Sequence, residues 1–121
     1  MEVRLAGTEI PQDPKIEAEQ GAAYDADARK YLTELIRGKV VDFKAYGLDE
    51  KDRIVAEVYF GRLNINLEMI RAGVAIVDRL NSPAALDLQP YFRVEQESRD
   101  AERGVWRTFS LTPNRRVGTK P

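Results

Sequence analysis

The side chains that most often carry out chemistry in proteins are absent from this one. The 121-residue chain has no histidine and no cysteine. That excludes His-based triads, thiolate nucleophiles, disulfides, and zinc or iron–sulfur centres held by His or Cys. Chemistry is left to 20 Asp and Glu residues, 19 Lys and Arg residues and five tyrosines. A general base must therefore be a carboxylate, a lysine or a tyrosine. A metal must be held by oxygen, which favours calcium or magnesium. Arginine is the cation whose planar fork matches a phosphate, through two parallel hydrogen bonds. By spacing alone, Arg4 and Arg53 read as surface strand arginines, each paired with a nearby acid.

The net charge of −1 by itself points to no polyanionic partner. Its distribution is uneven. Residues 1–28 hold seven acids (Glu2, Glu9, Asp13, Glu17, Glu19, Asp25, Asp27) against Arg4 and Lys15. From Arg103 onward there are five bases and no acid. A basic tail adds phosphate affinity or is a solvated end. No apolar run is long enough to span a membrane, and no signal-peptide pattern opens the chain. The expected location is cytoplasmic.

The elements that must position these residues follow from hydrophobic period and punctuation. Residues 2–7 alternate, with Val3, Leu5 and Gly7 on one face and Glu2, Arg4 and Ala6 on the other, which predicts a strand. Pro11 and Pro14 predict a loop running through Gly21. Asp25 reads as the cap of a helix starting near Ala26. Ala28, Tyr31, Leu32, Leu35 and Ile36 line its apolar face, and Gly38 is its stop. Residues 40–46 and 53–60 predict a hairpin around a polar turn, with Ile54, Ala56, Val58 and Phe60 sharing a face. Asn64 or Asn66 caps a short helix that Gly73 ends. Residues 74–77 read as buried and extended. A last helix over 90–103 places Tyr91, Val94 and Ala101 inward, and Trp106 packs back as a core anchor. The order β, α, β, β, α, α predicts one α+β domain over 1–108, followed by a basic tail over 109–121.

Four segments, in order, resemble the staphylococcal-nuclease (thermonuclease) family. Val3-Arg4-Leu5-Ala6-Gly7-Thr8-Glu9-Ile10-Pro11-Gln12 is similar to its R-L-x-x-I-D-x-P-E. Asp52-Arg53-Ile54-Val55-Ala56 is similar to the end of its Y-G-R-x-(L/V)-A strand. Asn64 to Ala75 resembles V-N-x-x-(L/M)-V-R-x-G-x-A, and Glu97 to Trp106 resembles E-A-x-A-x-x-x-x-x-G-(L/I)-W. The resemblance implies a five-stranded OB-type β-barrel with three helices, and a calcium-dependent endonuclease acting on DNA and RNA phosphodiesters. The family's opening hairpin, with its D-G-D-T, has no counterpart in this chain. Lacking the first two barrel strands, the remaining three are expected to form one contiguous sheet with open edges. Strands from a partner or from a homo-oligomer are expected to complete it.

Residue by residue, the resemblance gives Arg4 and Arg53 the role of phosphate-binding arginines. Glu9 stands in place of the family's metal-binding aspartate, with calcium as the implied ion. Gln12 stands in place of the glutamate assigned as general base, and a glutamine cannot take up a proton at neutral pH. Glu17 or Glu19, further along the same loop, are candidate substitutes. Lys51-Asp52 replaces Tyr-Gly before Arg53, which leaves Lys51 as a further phosphate contact. The pattern implies a nucleic-acid-binding domain of the nuclease family, taking single-stranded nucleic acid, with impaired or lost hydrolysis. Two alternatives stay open: an active calcium-dependent nuclease, and an assembly module using its open sheet edges.

Overall fold

The computed structural model describes residues 2–11 and 18–110, with side chains over 2–11 and 24–107. In chain order the elements are β1 (Val3–Leu5), β2 (Thr8–Glu9), α1 (Ala18–Ile36), β3 (Asp42–Leu48), β4 (Ile54–Phe60), β5 (Leu63–Asn64), α2 (Ile65–Arg71), β6 (Ile76–Val77), α3 (Gln89–Asp100) and α4 (Val105–Ser110). Gln12, Glu17 and the tail beyond Ser110 lie outside the described residues, as does the side chain of Glu19.

The main sheet runs β1-β4-β3, the contiguous three-strand core the sequence implies, with β5 added on β4. β1 is parallel to β4, with Arg4 opposite Val55 and Leu5 opposite Ala56. β3 and β4 form the expected hairpin, from Asp42 opposite Tyr59 to Leu48 opposite Ile54, with a shift in register between Ala45 and Gly47. A second, two-stranded sheet pairs β2 with β6. Among the described residues neither sheet closes into a barrel. Val40, Phe43 and Leu48, in β3 or just before it, are exposed.

Several boundaries differ from expectation. The first strand stops at Leu5 because Ala6 and Gly7 turn the chain into β2. Gly7 has φ +78, and a Cβ there would meet the Tyr91 ring at 2.8 Å, so only glycine fits. Ala6, expected on the outward face, is buried in this turn. α1 starts at Ala18 rather than near Ala26, which places Asp25 inside the helix rather than at its cap. The alanines and the Glu and Gln before Tyr24 are strong helix formers that outweigh the single Gly21, a cost of about 1 kcal/mol. β3 lies two residues later than expected. β4 is the central strand and is covered on both faces at its middle, so Val55 and Glu57 are buried along with Ala56 and Val58, while Phe60 is exposed. α3 ends at Asp100, leaving Ala101 as an exposed cap rather than an inward residue. There are four helices among the described residues, not three, because Trp106 sits in a helix of its own.

The core lies between the sheet and α1–α3. α3 buries Tyr91, Val94, Glu95 and Ser98, the i, i+3, i+4, i+7 stripe of an amphipathic helix. Ile70, Val77 and Met69 pack with it, each burial stabilising by about 1.5–3 kcal/mol. Two polar side chains tie the layers together. Asn64 caps α2 by accepting the Leu67 N–H at 3.1 Å. Asn66, the other cap candidate, is instead fully buried. Its amide donates to the carbonyls of Ala6 (2.8 Å) and Ala56 (3.0 Å), and its oxygen accepts the Val58 N–H at 3.1 Å. It thereby braces β1 against β4. Gly73, with φ +76, ends α2 and lies against the backbone of Arg103, where a Cβ would fall 2.3 Å from its carbonyl oxygen. Its own carbonyl accepts the Val105 N–H at 2.9 Å. That contact seats α4 and buries Trp106.

Candidate phosphate-binding site

The parallel pairing of β1 with β4 decides where the arginines go. Arg4 is in the middle of β1, and Arg53 immediately precedes β4, one residue before the partner of Val3. Two strands side by side thus bring residues far apart in sequence to one end of the sheet.

Each arginine is pinned by an acid. The Arg4 guanidinium donates through Nη2 to Oδ2 of Asp78 at 2.8 Å, across 74 residues of sequence. Asp78 is only 2% exposed. Its other oxygen accepts the backbone N–H groups of Leu80 (3.1 Å) and Asn81 (2.9 Å). Its own N–H donates to the carbonyl of Gly7 at 2.9 Å. The neighbours of Asp78 are held as firmly. Glu95 of α3 accepts the Val77 N–H at 2.8 Å and pairs with Arg79. Arg53 donates through Nε to Oδ2 of Asp49 at 2.7 Å. The second Asp49 oxygen accepts the N–H groups of Lys51 and Arg53, both at 2.9 Å. Hydrogen bonding by the Arg53 N–H, then by the Lys51 N–H and the Arg53 guanidinium, holds the Asp49 carboxyl below its ordinary value, although desolvation opposes this.

Both arginines open onto one cleft of about 540 Å3, whose lining includes Arg4, Thr8, Glu9, Arg29 and Arg53. An adjoining hollow of about 310 Å3 shares Arg4 and Arg53 and reaches Asp49, Glu50 and Asn81. Desolvation, then repulsion from Asp78, pushes the Glu9 carboxyl above its ordinary value, while Arg4 and Arg79 pull it down. The structure therefore brings Arg4, Glu9 and Arg53 together. Each arginine is paired with an acid, as its spacing predicts, and both face one cleft. Lys51 is exposed on the β3–β4 turn and lines neither hollow.

Sequence reasoning missed three residues. Asp49 had a local signal, a carboxylate four residues before Arg53 in a polar turn. Asp78 had a faint one, a charged residue closing an apolar run. Arg29 had none, since a basic residue on an exposed helix face is ordinary.

Calcium takes six to eight oxygen ligands. Among the described residues no three acids gather closely enough to hold a metal. Glu9 lines the cleft, but the nearby Asp78 spends its oxygens on Arg4 and two backbone N–H groups. The described residues do not make a calcium site.

Two acid-paired arginines thus line one cleft at one end of the β1-β4-β3 sheet. Residues 2–108 match the family described as staphylococcal nuclease homologue, and the chain belongs to that family. Three curated relatives are each named probable endonuclease LCL3. The protein from Komagataella phaffii is 33% identical over 110 residues, covering 86% of this chain and 48% of the relative. That from Leptosphaeria maculans is 31% identical over 112 residues, covering 88% and 37%. That from Pyrenophora tritici-repentis is 31% identical over 127 residues, covering 100% and 46%. The chain thus spans about half or less of these relatives' length. No described helix is long and apolar enough to cross a membrane.

Proposed function

We propose that this domain binds the phosphates of single-stranded nucleic acid through Arg4 and Arg53, and that it hydrolyses phosphodiesters poorly or not at all. The observation that carries the binding half is the pair of pinned guanidiniums facing one cleft. Pinning sets their direction before a ligand arrives, so little ordering is lost on binding. Arg4 from β1 and Arg53 from the start of β4 would hold one phosphate between them.

The loss of hydrolysis rests on three residue-level arguments. Gln12 cannot act as a base. Among the described residues Glu9 is the only acid lining the main cleft, and one carboxylate is far short of the six to eight oxygens calcium takes. The described carboxylates do not assemble a calcium site. An active calcium-dependent nuclease remains the competing reading, favoured by the names of the relatives. It requires ligands from outside the described residues.

A fluorescent single-stranded oligonucleotide titrated at several salt concentrations tests the binding half. Each phosphate engaged contributes about −0.7 to the log–log salt slope, so binding should weaken as salt rises. Arg53→Ala should weaken binding and bring the slope closer to zero. Binding that ignores both salt and Arg53 would reject this reading.

The exposed Val40, Phe43 and Leu48 favour a further feature of the proposal. A strand from a second chain pairs with the open β3 edge. Sedimentation should then show a species heavier than the monomer, and a monomer at all concentrations would count against it.

A further inference from the structure

Among the described residues the cleft lining holds one further cation, Arg29. Arg29 lies on α1, one residue after Ala28, which is buried in the core. One residue turns a helix by roughly 100°, so Arg29 leaves the buried stripe and stands at the rim of the cleft that Arg4 and Arg53 line. It differs from them in one respect. Arg4 is held by Asp78 and Arg53 by Asp49. Among the described residues the Arg29 side chain makes no ion pair or hydrogen bond, and it is exposed. Among the described residues no carboxylate is paired with it, and Glu9 is the only acid in the same lining.

The size of the cleft points the same way. At about 540 Å3 it has room for far more than one phosphate group, given that a water occupies roughly 30 Å3. A single anion between Arg4 and Arg53 leaves the α1 side of the space unfilled.

We propose that Arg29 holds a second backbone phosphate of a single-stranded polynucleotide whose first phosphate lies between Arg4 and Arg53. This rests on the phosphate-binding reading and extends it. The cleft takes a run of at least two phosphates, with one wall supplied by the sheet and the other by α1. The pinned arginines fix the register of the strand. The unpinned Arg29 follows the neighbouring phosphate, whose position varies with the sugar–backbone torsions.

The test compares Arg29→Gln with Lys30→Gln, which removes the same charge from the next, exposed position of α1. Two probes are used: a labelled octathymidylate followed by anisotropy, and the dinucleotide dTpdT, with one internucleotide phosphate, followed by NMR of the arginine Nε–H groups. At about 50 mM salt, Arg29→Gln should weaken octathymidylate binding about fivefold and reduce the magnitude of the salt slope by about 0.7. It should leave dTpdT binding unchanged, and Lys30→Gln should change neither probe by more than about twofold. Wild-type binding of octathymidylate that Arg29→Gln leaves intact, or that both variants weaken equally, overturns this inference alone. Failure of the wild type to bind either probe overturns the phosphate-binding reading and this inference with it.

Discussion

Asn66 makes no contact with any ligand in this account, yet replacing it should do more damage than replacing any cleft residue. The side chain is fully buried and closes three hydrogen bonds to the backbone of β4 and of the turn after β1. In Asn66→Ala, the Ala56 carbonyl keeps the Ala6 N–H at 2.8 Å. The Ala6 carbonyl and the Val58 N–H lose their Asn66 partner. Each buried group left unpaired costs about 1–3 kcal/mol. Water entering the vacated space recovers part of that, so the expected loss is about 2–4 kcal/mol, against a typical total of about 5–15 kcal/mol. With a urea m-value of about 1.5 kcal/mol/M, the midpoint should fall by about 1–3 M. Trp106 is the only tryptophan and is buried, so its fluorescence reports the transition. Asn66→Asp separates hydrogen bonding from packing. It preserves the side-chain volume but cannot donate to either carbonyl, so it should be at least as unstable as the alanine variant. An Asn66→Ala protein within about 0.5 kcal/mol of the parent, or an aspartate variant more stable than the alanine one, would refute the brace.

Asp78→Asn keeps an oxygen for the Leu80 and Asn81 N–H groups but turns an amide toward Arg4. Arg4 is a quarter exposed and can turn to water, so the expected loss is about 1–2 kcal/mol, measured by urea denaturation. The Glu9 carboxyl should titrate lower, because repulsion from Asp78 is one of the effects raising it; an unchanged Glu9 titration by NMR would contradict this. Alkaline titration tests the tyrosine cluster, in which Tyr46, Tyr59 and Tyr91 donate to the buried Glu57. Burial, then the Glu57 hydrogen bond, pushes Tyr46 up to about 12, and the same two causes raise Tyr91 further. A folded pKa above the unfolded 10.0 contributes stability that is complete below 10.0 and is lost as pH rises through the folded value. Phenolate absorbance from these three tyrosines should therefore rise late and together with unfolding. Ionisation of these tyrosines near the ordinary value in a protein with native circular dichroism would count against the cluster.

Local features were the legible ones. The β3–β4 hairpin, the Asn64 cap and the Gly73 stop each depend on residues a few positions apart, and each appears in the structure. The three-strand order also followed from the sequence, through the resemblance of its motifs. α1 starts earlier than Pro11, Pro14 and Gly21 predict, because the Ala, Glu and Gln residues around Gly21 are strong helix formers. The site was half legible. Arg4, Arg53 and Glu9 could be named, since each stands in a recognisable segment. What holds them could not, because Arg4 meets Asp78 across 74 residues and only the fold brings them together. Arg29 belongs to the same class, as it acquires meaning only from where α1 runs. Asn66 was visible as a polar residue near a helix start, but a cap and a core brace look alike in one sequence.

The central claim is a phosphate-binding cleft with little or no hydrolytic power. The direct test incubates single-stranded DNA and RNA with the purified protein and calcium, with EDTA and an Arg53→Ala variant run beside it. The account predicts salt-sensitive binding that Arg53→Ala weakens, and no cleavage above that of the variant. Cleavage that disappears both with EDTA and in Arg53→Ala would contradict it, and would mean that ligands and a base beyond the described residues assemble a working site.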